Sequence, residues 1–431
     1  MAIDIIARGL ATVEVARQKR LRVLNTLRAS IAKADFTLPV LASPLPTIGA
    51  PLAASAIATG TTWQVATGGN PLHAAKFTFV GGAWQCPAGT FPNTEFYKAI
   101  TSRVGNGTNP LLNPQQGPGS RVRFTCAAPS FELYVQMSAA GVGGGFRLKV
   151  DGKLAFSGVL GNGGNGLIRY IPVTWGGGTA ADRKDRNYEL EFSAVGGFVG
   201  IRTTNLYKPQ PWPQADGLRV LLHGDSMLGT IIDAANIDTA LYGAQGAQLG
   251  DLLGQADTWS SGVGGSGWMA PAAHTTSWFN DRVDIDVIAN APDVIIETGG
   301  GNDASVSPSQ AMIQPLIETW LNTVLAAKPE TIVFMTGTLI GSGAGASHLA
   351  ISAAKAAAAA KVPRNVAFID TLSDPWVSGT GRDGAPIGDG NRDWVTGSDG
   401  AHPTNEGHRH LAGRVARSVA RAIPGLIAAQ A

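Results

Sequence analysis

An apolar run leads into the residues Gly-Asp-Ser in the segment LLHGDS, at residues 221–226. Ser226 would lie at the carboxyl end of a predicted strand, which is the edge where open α/β sheets bind ligands. A serine hydroxyl is a weak nucleophile at neutral pH, so it needs a neighbouring base that an acid orients. The placement therefore predicts a nucleophile and requires a histidine and a carboxylate elsewhere in the chain.

Asp399 and His402 meet this requirement in the run DGAHP near the other end of the chain. On a loop that enters a helix, this spacing lets the carboxylate reach Nδ1 of the imidazole while Nε2 faces the serine. Each motif alone is short enough to recur by chance. The prediction of a triad therefore depends on further elements of the site.

Two further segments are suited to the negative charge that acyl transfer builds on a carbonyl oxygen. Asn302 stands in the run GGND, after the predicted strand VIIE at 294–297, and its side-chain amide can donate to that oxygen. The run GVGG at 262–265 lets a backbone N–H approach the same point without a side chain intervening. Within this run Gly265 is the predicted donor.

The elements that must position these residues change character along the chain. From 218 to 431, the buried-type strands LRVLL, DVIIE, TIVFM and NVAFI alternate with longer, partly Ala-rich segments, which predicts a parallel sheet flanked by helices. From 61 to 207, short alternating runs such as RVRFT, FELYVQM and YELEF predict an antiparallel β-sandwich or jelly roll. Residues 208–217 form a Pro-rich linker between the two.

The N-terminal segment, residues 1–36, is predicted to contain a basic amphipathic helix, because residues 10–33 carry no Gly or Pro and place Leu24, Leu27 and Ile31 at helical spacing. A Pro-rich linker follows at 37–60. Such a helix can dock on a partner, mediate a homo-oligomer or lie on its own protein, and the sequence leaves these alternatives open.

Composition excludes several classes of protein. The chain has 431 residues, 44% hydrophobic and 15% charged, which indicates a folded protein of more than one domain. A net charge of +2 provides no global field for nucleic acid or an anionic membrane, and there is no apolar run of membrane-spanning length. The N-terminus lacks the pattern of a Sec signal peptide. Cys86 and Cys126 are either two free thiols or a single bridge.

The Gly-Asp-Ser, glycine-run, Gly-x-Asn-Asp and Asp-x-x-His-Pro blocks, in this order, resemble the SGNH, or GDSL-type, hydrolase superfamily over about half of the chain. The resemblance implies a flavodoxin-like three-layer α/β/α fold. It implies Ser226 as nucleophile, His402 as base and Asp399 as acid. It also implies an oxyanion hole of the Ser226 N–H, Gly265 and Asn302, and no cofactor.

The β-rich segment is similar in layout to the jelly rolls that precede such domains in some carbohydrate esterases, which implies an acetylated polysaccharide substrate. The opening MAIDIIARGLA is similar to attachment segments of tailed-phage virion proteins, which implies an extracellular or virion-associated location reached without a signal peptide; a cytoplasmic location also stays open. The alternatives are a glycan-binding adhesin with a non-catalytic hydrolase fold, and a lipase or thioesterase.

Other residues near the motifs receive weaker predictions. Asp225, Trp268 and Trp394 are predicted to contact substrate, the tryptophans as a surface on which sugars stack. The run GVGGSG at 262–267 fits a dinucleotide-binding pattern but lacks the required strand and helix around it. The histidines in the run from His402 to His410 lack a complete set of ligands, so no metal is predicted.

Overall fold

The structure is a computed structural model, and it describes residues 2–34, 40–67, 70–85, 98–100, 119–136, 145–159, 167–192, 197–212, 217–228, 245–269, 278–339 and 344–431. The α-helices in these ranges are α1 (Ala2–Ile31), α2 (Gln245–Leu253), α3 (Phe279–Arg282), α4 (Gln310–Ala327), α5 (Ala346–Ala360), α6 (Arg392–Val395) and α7 (Asn405–Ala428). The strands before residue 212 are β1 (Thr47–Ile48), β2 (Thr61–Gln64), β3 (Ala66–Thr67), β4 (Asn70–Pro71), β5 (Thr78–Val80), β6 (Ala83–Gln85), β7 (Lys98–Ile100), β8 (Arg121–Cys126), β9 (Ser130–Gln136), β10 (Gly145–Val150), β11 (Lys153–Val159), β12 (Ile168–Thr174), β13 (Arg186–Phe192), β14 (Gly197–Thr203) and β15 (Gln210–Pro211). The remaining strands are β16 (Val220–Gly224), β17 (Thr258–Gly262), β18 (Val294–Glu297), β19 (Ile332–Thr336) and β20 (Val366–Ile369).

Two antiparallel sheets form the β-sandwich that the alternating runs predict. One sheet has the strand order β1-β12-β9-β14-β2, and the other has the order β11-β10-β13-β8-β15 with β5 also paired to β8. Apolar side chains from both sheets fill the space between them, and Phe131 of one sheet packs edge-on against Tyr188 of the other, with ring centroids 5.0 Å apart. The predicted sandwich architecture is confirmed, because its core is built from the inward side chains of the alternating runs.

The five strands β16 to β20 form a parallel sheet with the order β17-β16-β18-β19-β20. Numbered from β16, this is the order 2-1-3-4-5 of flavodoxin-like folds. Successive residues of each strand enter different cores, so Leu222 and Ile296 pack towards α2 and α7 while Leu221 and Ile295 pack towards α4 and α5. The predicted three-layer α/β/α fold is therefore confirmed.

The second half of α1 packs on the three-layer domain. Val23, Leu24, Leu27 and Ile31 are buried in the same core as residues of α2 and α7. The Arg20 guanidinium donates to the side chain of Gln430 at 2.8 Å. Of the alternatives for this helix, packing on its own protein holds from Ala16 to Ile31, whereas attachment to a partner stays a prediction.

A cluster of buried charges joins the sandwich to the three-layer domain. Asp251 of α2 forms ion pairs with Arg121, Arg147 and Lys149 of the sandwich, and the Arg121 and Arg147 nitrogens lie 3.3 and 3.5 Å from its carboxylate. Sandwich residues complete the cluster, with Glu191 paired to Arg147 at 2.5 Å. We call this the interdomain ion cluster. One carboxylate of the three-layer domain thus forms ion pairs with three cations of the sandwich.

Two further predictions concern the cysteines and membrane-spanning helices. Cys126 is a buried free thiol whose pKa burial raises to about 11, while Cys86 lies outside the described residues. Among the helices of the described residues, none is long and apolar enough to cross a membrane.

Candidate active site

The carboxyl edge of the parallel sheet brings the predicted motif segments together. β16 ends at Gly224, and Ser226 begins a short 3-10 turn at Ser226–Leu228. The neighbouring strand β17 ends at Gly262, where a Cβ atom would lie 2.6 Å from the backbone oxygen of Asp225. Only glycine permits this approach of the two strand ends, and the glycine-rich loop after β17 can then run beside the serine.

Ser226, His402 and Asp399 form a continuous hydrogen-bonded chain. The His402 ring sits between its two partners, with Nε2 2.7 Å from the Ser226 Oγ and Nδ1 2.6 Å from the Asp399 Oδ2. Both distances are within the range required for proton transfer between such groups. The structure therefore brings together, without rearrangement, three residues that lie up to 176 positions apart in the chain.

The loop before α7 holds the acid and the base in one unit. The Asp399 Oδ1 accepts the backbone N–H groups of Ala401 and His402, each at 3.0 Å. Partial burial acts to raise the pKa of Asp399, but the hydrogen bonds from the His402 ring and from these backbone groups outweigh it and hold the pKa below its usual value. Asp399 is therefore ionised at neutral pH, which fixes the tautomer of His402 with the proton on Nδ1.

The glycine loop after β17 approaches the serine closely. A Cβ atom on Gly264 would lie 3.9 Å from the Ser226 Cβ. The loop turns over Val263–Ser266, where the Ser266 N–H donates to the Val263 oxygen at 3.2 Å and Gly265 has a φ of +73°, which favours glycine. The loop that carries Gly265 therefore runs beside Ser226, and the role of Gly265 as an oxyanion donor stays a prediction.

Asn302 connects the next strand end to the same loop. It lies in the 3-10 turn Gly301–Val306 after β18, and its Nδ2 donates to the Ser266 oxygen at 2.9 Å. An amide nitrogen carries two hydrogens, so this bond leaves one available for a substrate oxygen. The role of Asn302 as an oxyanion donor stays a prediction.

Asp303 positions the loop beside Asn302, a role that sequence reasoning missed. Its buried carboxylate accepts the backbone N–H groups of Trp268 and Met269 at 2.9 and 2.6 Å. A Cβ atom on Gly267 would lie 2.8 Å from this carboxylate. The sequence feature that could have revealed this role is Asp303 itself, the second polar residue of the run GGND. Its carboxylate fixes the glycine loop, while Asn302, the first polar residue of the run, is the predicted oxyanion donor.

Asp225 does not face the substrate, so its predicted role is wrong. It is buried, and its two oxygens accept the N–H groups of Met227 at 3.0 Å and of Gly300 at 3.2 Å. Burial raises the pKa of this carboxyl. Asp225 thus ties the turn that carries Ser226 to the loop that carries Asn302.

Two buried cations support these loops, and neither has a motif that would have revealed it. Arg282 of α3 donates to the Gly224 oxygen, the Ser261 oxygen and the Ser266 hydroxyl at 3.3, 2.8 and 3.0 Å. Its charge is balanced by Asp286 at 3.0 Å. Arg282 therefore links the strand end before Ser226 to the glycine loop.

Lys355 of α5 lies beneath the loop that leads to Asn302. Its Nζ is 2.7 Å from the Glu297 carboxylate and donates to the backbone oxygens of Gly299 and Thr336. Glu297 accepts the Gly299 N–H at 2.7 Å. Both charged side chains are fully buried, and burial raises the pKa of Glu297 to about 7 despite the adjacent lysine.

The two predicted sugar-stacking tryptophans have different positions. Trp268 is 1% exposed and packs against Phe279 and Trp320, with ring centroids 4.8 and 5.9 Å away, so no face of its ring is open to a sugar and that prediction is wrong. Trp394 is 45% exposed and contacts the His410 ring edge-on. Only Trp394 of these two is accessible to a substrate.

The histidines near the triad have structural surroundings. His223 is fully buried against Phe279 and Trp320, and its burial lowers its pKa well below the usual value, so it is neutral. The His410 Nε2 lies 2.8 Å from the Trp376 oxygen. Within the described ranges, no group of three or more His, Cys, Asp or Glu side chains is arranged to hold a metal ion.

Comparison with known proteins identifies the class of this domain. Residues 223–410 match the GDSL-like Lipase/Acylhydrolase family, so the resemblance to GDSL-type hydrolases is confirmed for this part of the chain. No curated protein matches the chain in sequence.

Solved structures share the fold of most of the chain at low sequence identity. A salicylyl-acyltransferase, SsfX3, from a tetracycline biosynthetic pathway has a TM-score of 0.58 at 12% identity, covering 84% of this chain and 97% of its own. A family two carbohydrate esterase from Cellvibrio japonicus has a TM-score of 0.56 at 13% identity, covering 85% and 99%. The acetyl xylan esterase Est2A from Butyrivibrio proteoclasticus has a TM-score of 0.55 at 12% identity, covering 84% and 97%. These likenesses extend over both the sandwich and the three-layer domain.

Proposed function

We propose that this protein is a serine ester hydrolase that removes O-acetyl groups from a polysaccharide through an acyl-enzyme intermediate. The observation that carries the proposal is the chain from Ser226 Oγ through His402 to Asp399, with contacts of 2.7 and 2.6 Å. It lies at the carboxyl edge of a parallel sheet, beside two candidate oxyanion donors. The family match to GDSL-like acylhydrolases supports the same chemistry.

The proposed reaction has two steps. Ser226 Oγ attacks the ester carbonyl while His402 Nε2 takes the hydroxyl proton, and His402 then gives that proton to the departing sugar oxygen. Water attacks the acetyl-serine with His402 again as the base, which releases acetate and restores the hydroxyl. Asp399 stabilises the imidazolium in both steps. The N–H groups of Ser226 and Gly265 and the Asn302 amide receive the negative charge on the carbonyl oxygen.

The substrate class rests on the arrangement of the whole chain. A jelly-roll-like sandwich precedes and contacts the hydrolase domain. Two solved structures that share this fold are a family two carbohydrate esterase and an acetyl xylan esterase. The exposed ring of Trp394 offers an apolar surface near the loop that holds His402. These features support an acetylated polysaccharide.

The test is acetate release from acetylated xylan, capsule and O-antigen by the wild-type protein and by Ser226→Ala. We expect release by the wild type from at least one polymer and a loss of about 10⁴ to 10⁶-fold in the variant. Arg364→Gln, on the loop before β20 at the opposite edge of the sheet, is the control and should retain full activity. Polymer binding without acetate release by the wild type would instead favour the adhesin alternative.

An apolar cavity supports a second candidate, a hydrolase of longer or aromatic acyl esters. It has a volume of about 300 Å³ and begins at Met227, next to the nucleophile. Leu339, Leu372, Pro375 and Trp376 contribute much of its wall. This cavity is far larger than an acetyl group needs. Each CH₂ group that a longer acyl chain buries there would contribute roughly 0.8 kcal/mol, so the cavity would favour longer acyl esters.

The dependence of kcat/KM on the acyl chain separates the two candidates. With p-nitrophenyl esters, a deacetylase has a higher kcat/KM for the acetate than for the octanoate. An enzyme that binds the acyl chain in the apolar cavity has a higher kcat/KM for the octanoate. Leu339→Trp, which fills the cavity, should then lower the octanoate rate and spare the acetate rate. An acetate preference that this substitution leaves unchanged would count against the second candidate.

A further inference from the structure

A groove lies where the hydrolase domain, α2 and the sandwich meet, near the catalytic loop. It has a volume of about 660 Å³, and its wall includes Trp394, Leu154 of β11 and Gln248 of α2. The long side of the groove is α7, from Glu406 to Arg417. The eleven steps from Glu406 to Arg417 rise about 16 Å along the helix, so the groove is long enough for an extended ligand.

The groove begins next to the triad. Trp394 and Thr396 contact the residues that follow His402. The Thr404 hydroxyl donates to the Trp394 backbone oxygen, and Thr396 forms an antiparallel β-bridge with Pro403. Glu406 lies in the first turn of α7. The end of the groove at Trp394 and Glu406 therefore lies next to the loop that carries His402, so a ligand bound there would reach the triad.

Two arginines give the groove positive charge, Arg409 one helical turn beyond Glu406 and Arg417 at the far end of this stretch of α7. Arg409 and Arg417 are both exposed and, being eight residues apart on α7, lie on the same face of the helix. Among the described residues neither has an ion-pair partner within 4.0 Å. Gly413 stands between them, and the Arg417 guanidinium lies over it, since a Cβ atom on Gly413 would be 3.4 Å from this group. The missing side chain at Gly413 therefore gives the Arg417 guanidinium room to lie along the helix towards Arg409.

The aromatic side chain at the triad end is fixed in place. The Trp394 ring meets the His410 ring edge-on at 5.3 Å, and His410 is itself held by the Trp376 oxygen. The exposed face of Trp394 can therefore pack on the apolar face of a sugar without first losing side-chain freedom. Glu406 at this end disfavours a second negative charge, which directs anionic groups along α7 towards Arg417.

We propose that this groove binds a polysaccharide segment that carries carboxylates, as in a glycan that contains uronic acid, with its esterified sugar at the Trp394 end. Guanidinium groups bind carboxylates with paired hydrogen bonds, and the net charge of only +2 means that this attraction is local to the groove. The inference rests on the proposed function, since it names the class of polysaccharide that the same site would serve.

The test compares two hexasaccharides, oligogalacturonate and neutral xylohexaose, by calorimetric titration of the full chain. We expect the wild type to bind oligogalacturonate more tightly, with an affinity that falls as salt increases. Arg409→Gln/Arg417→Gln should lose on the order of 10-fold in affinity for oligogalacturonate, from two exposed ion pairs, and little for xylohexaose. Arg409→Lys/Arg417→Lys should restore part of the loss.

The matched control removes two positive charges elsewhere. The control variant Lys361→Gln/Arg364→Gln replaces two residues that lie before β20, at the opposite edge of the sheet. This variant should bind oligogalacturonate as the wild type does. Equal affinity of the wild type for both sugars, an equal loss in the control pair, or equally tight binding of a DNA oligonucleotide would overturn the proposal. Binding needs no turnover, so hydrolysis of p-nitrophenyl acetate by the wild type tests the proposed function separately.

Discussion

The buried pair of Lys355 and Glu297 leads to a prediction about both stability and catalysis. Replacing Lys355 with methionine keeps the apolar stem but removes the ammonium group that pairs with Glu297 and donates to the Gly299 oxygen. Both side chains are fully buried, so the variant leaves a carboxylate in the interior without a cation. Breaking such a pair typically costs 3–5 kcal/mol.

The cost should depend on pH, because burial already raises the pKa of Glu297 to about 7 in the folded protein, above its ordinary value of 4.5. A raised folded-state pKa means that the protonated form contributes stability below pH 4.5, and that this contribution is lost as the pH rises through about 7. At pH 5 Glu297 is mostly neutral in the folded state. The methionine variant should therefore lose about 3–5 kcal/mol at pH 8 but only about 1–3 kcal/mol at pH 5, from unmade hydrogen bonds.

Denaturant unfolding at the two pH values measures this difference, and ester hydrolysis gives a second readout. The Gly299 oxygen that Lys355 holds lies on the loop leading to Asn302, so kcat should fall while KM stays nearly constant. Lys355→Met/Glu297→Gln should regain most of the stability at pH 8. The reasoning is refuted if Lys355→Met costs less than about 1 kcal/mol at pH 8, or if its cost does not change with pH.

Three further predictions concern the triad, the oxyanion donors and the interdomain ion cluster. Asn302→Ala should lower kcat by about 10² to 10³-fold with little change in unfolding free energy; near wild-type turnover would remove Asn302 from the site. Asp399→Asn should lower kcat by about 10⁴-fold, because it favours the wrong tautomer of His402; a rate within tenfold of wild type would argue against the triad. Asp251→Asn should cost about 3–5 kcal/mol in denaturant unfolding, because it removes one of the carboxylates that balance three buried cations. The three cations outweigh desolvation and hold the pKa of Asp251 well below its usual value, so its stabilisation is present above about pH 4 and lost as the pH falls; an acid transition unchanged in Asp251→Asn would contradict this.

The sequence predicted best what depends on local pattern. The parallel sheet and its flanking helices follow from apolar runs that alternate with longer segments, and parallel strands must bring their carboxyl ends to a single edge. The flavodoxin-like strand order was implied only by the family resemblance. Ser226, Asp399 and His402 were identifiable because each motif sits at such an edge or at the start of a helix. The sheet then places the ends of β17 and β18, which lead to the glycine loop and to Asn302, on either side of the strand that precedes Ser226.

Burial was much harder to predict, because it depends on what packs from elsewhere in the chain. Trp268 and Trp394 look alike as tryptophans near motifs, yet the first is enclosed by Phe279 and Trp320 and the second stays open. The helix α1 has the charge pattern of a surface helix, but its apolar stripe completes a layer of a domain that begins almost 200 residues later. Such contacts have no counterpart in local sequence.

The buried cations show why motif residues alone do not make a site. Arg282 and Lys355 lie in segments without a recognisable pattern, yet they bind the backbone on either side of the serine, at Gly224 and Gly299. A charged group is expensive to bury unless it is paired and fully hydrogen-bonded, so each occupies its place only because several loop carbonyls and a carboxylate converge there. The same convergence restricts the loops that carry Ser226 and Asn302 to a narrow set of positions. Oxyanion donors stabilise charge only when they are fixed before the reaction begins, and buried charge is the means by which this fold fixes the loops that carry the proposed donors.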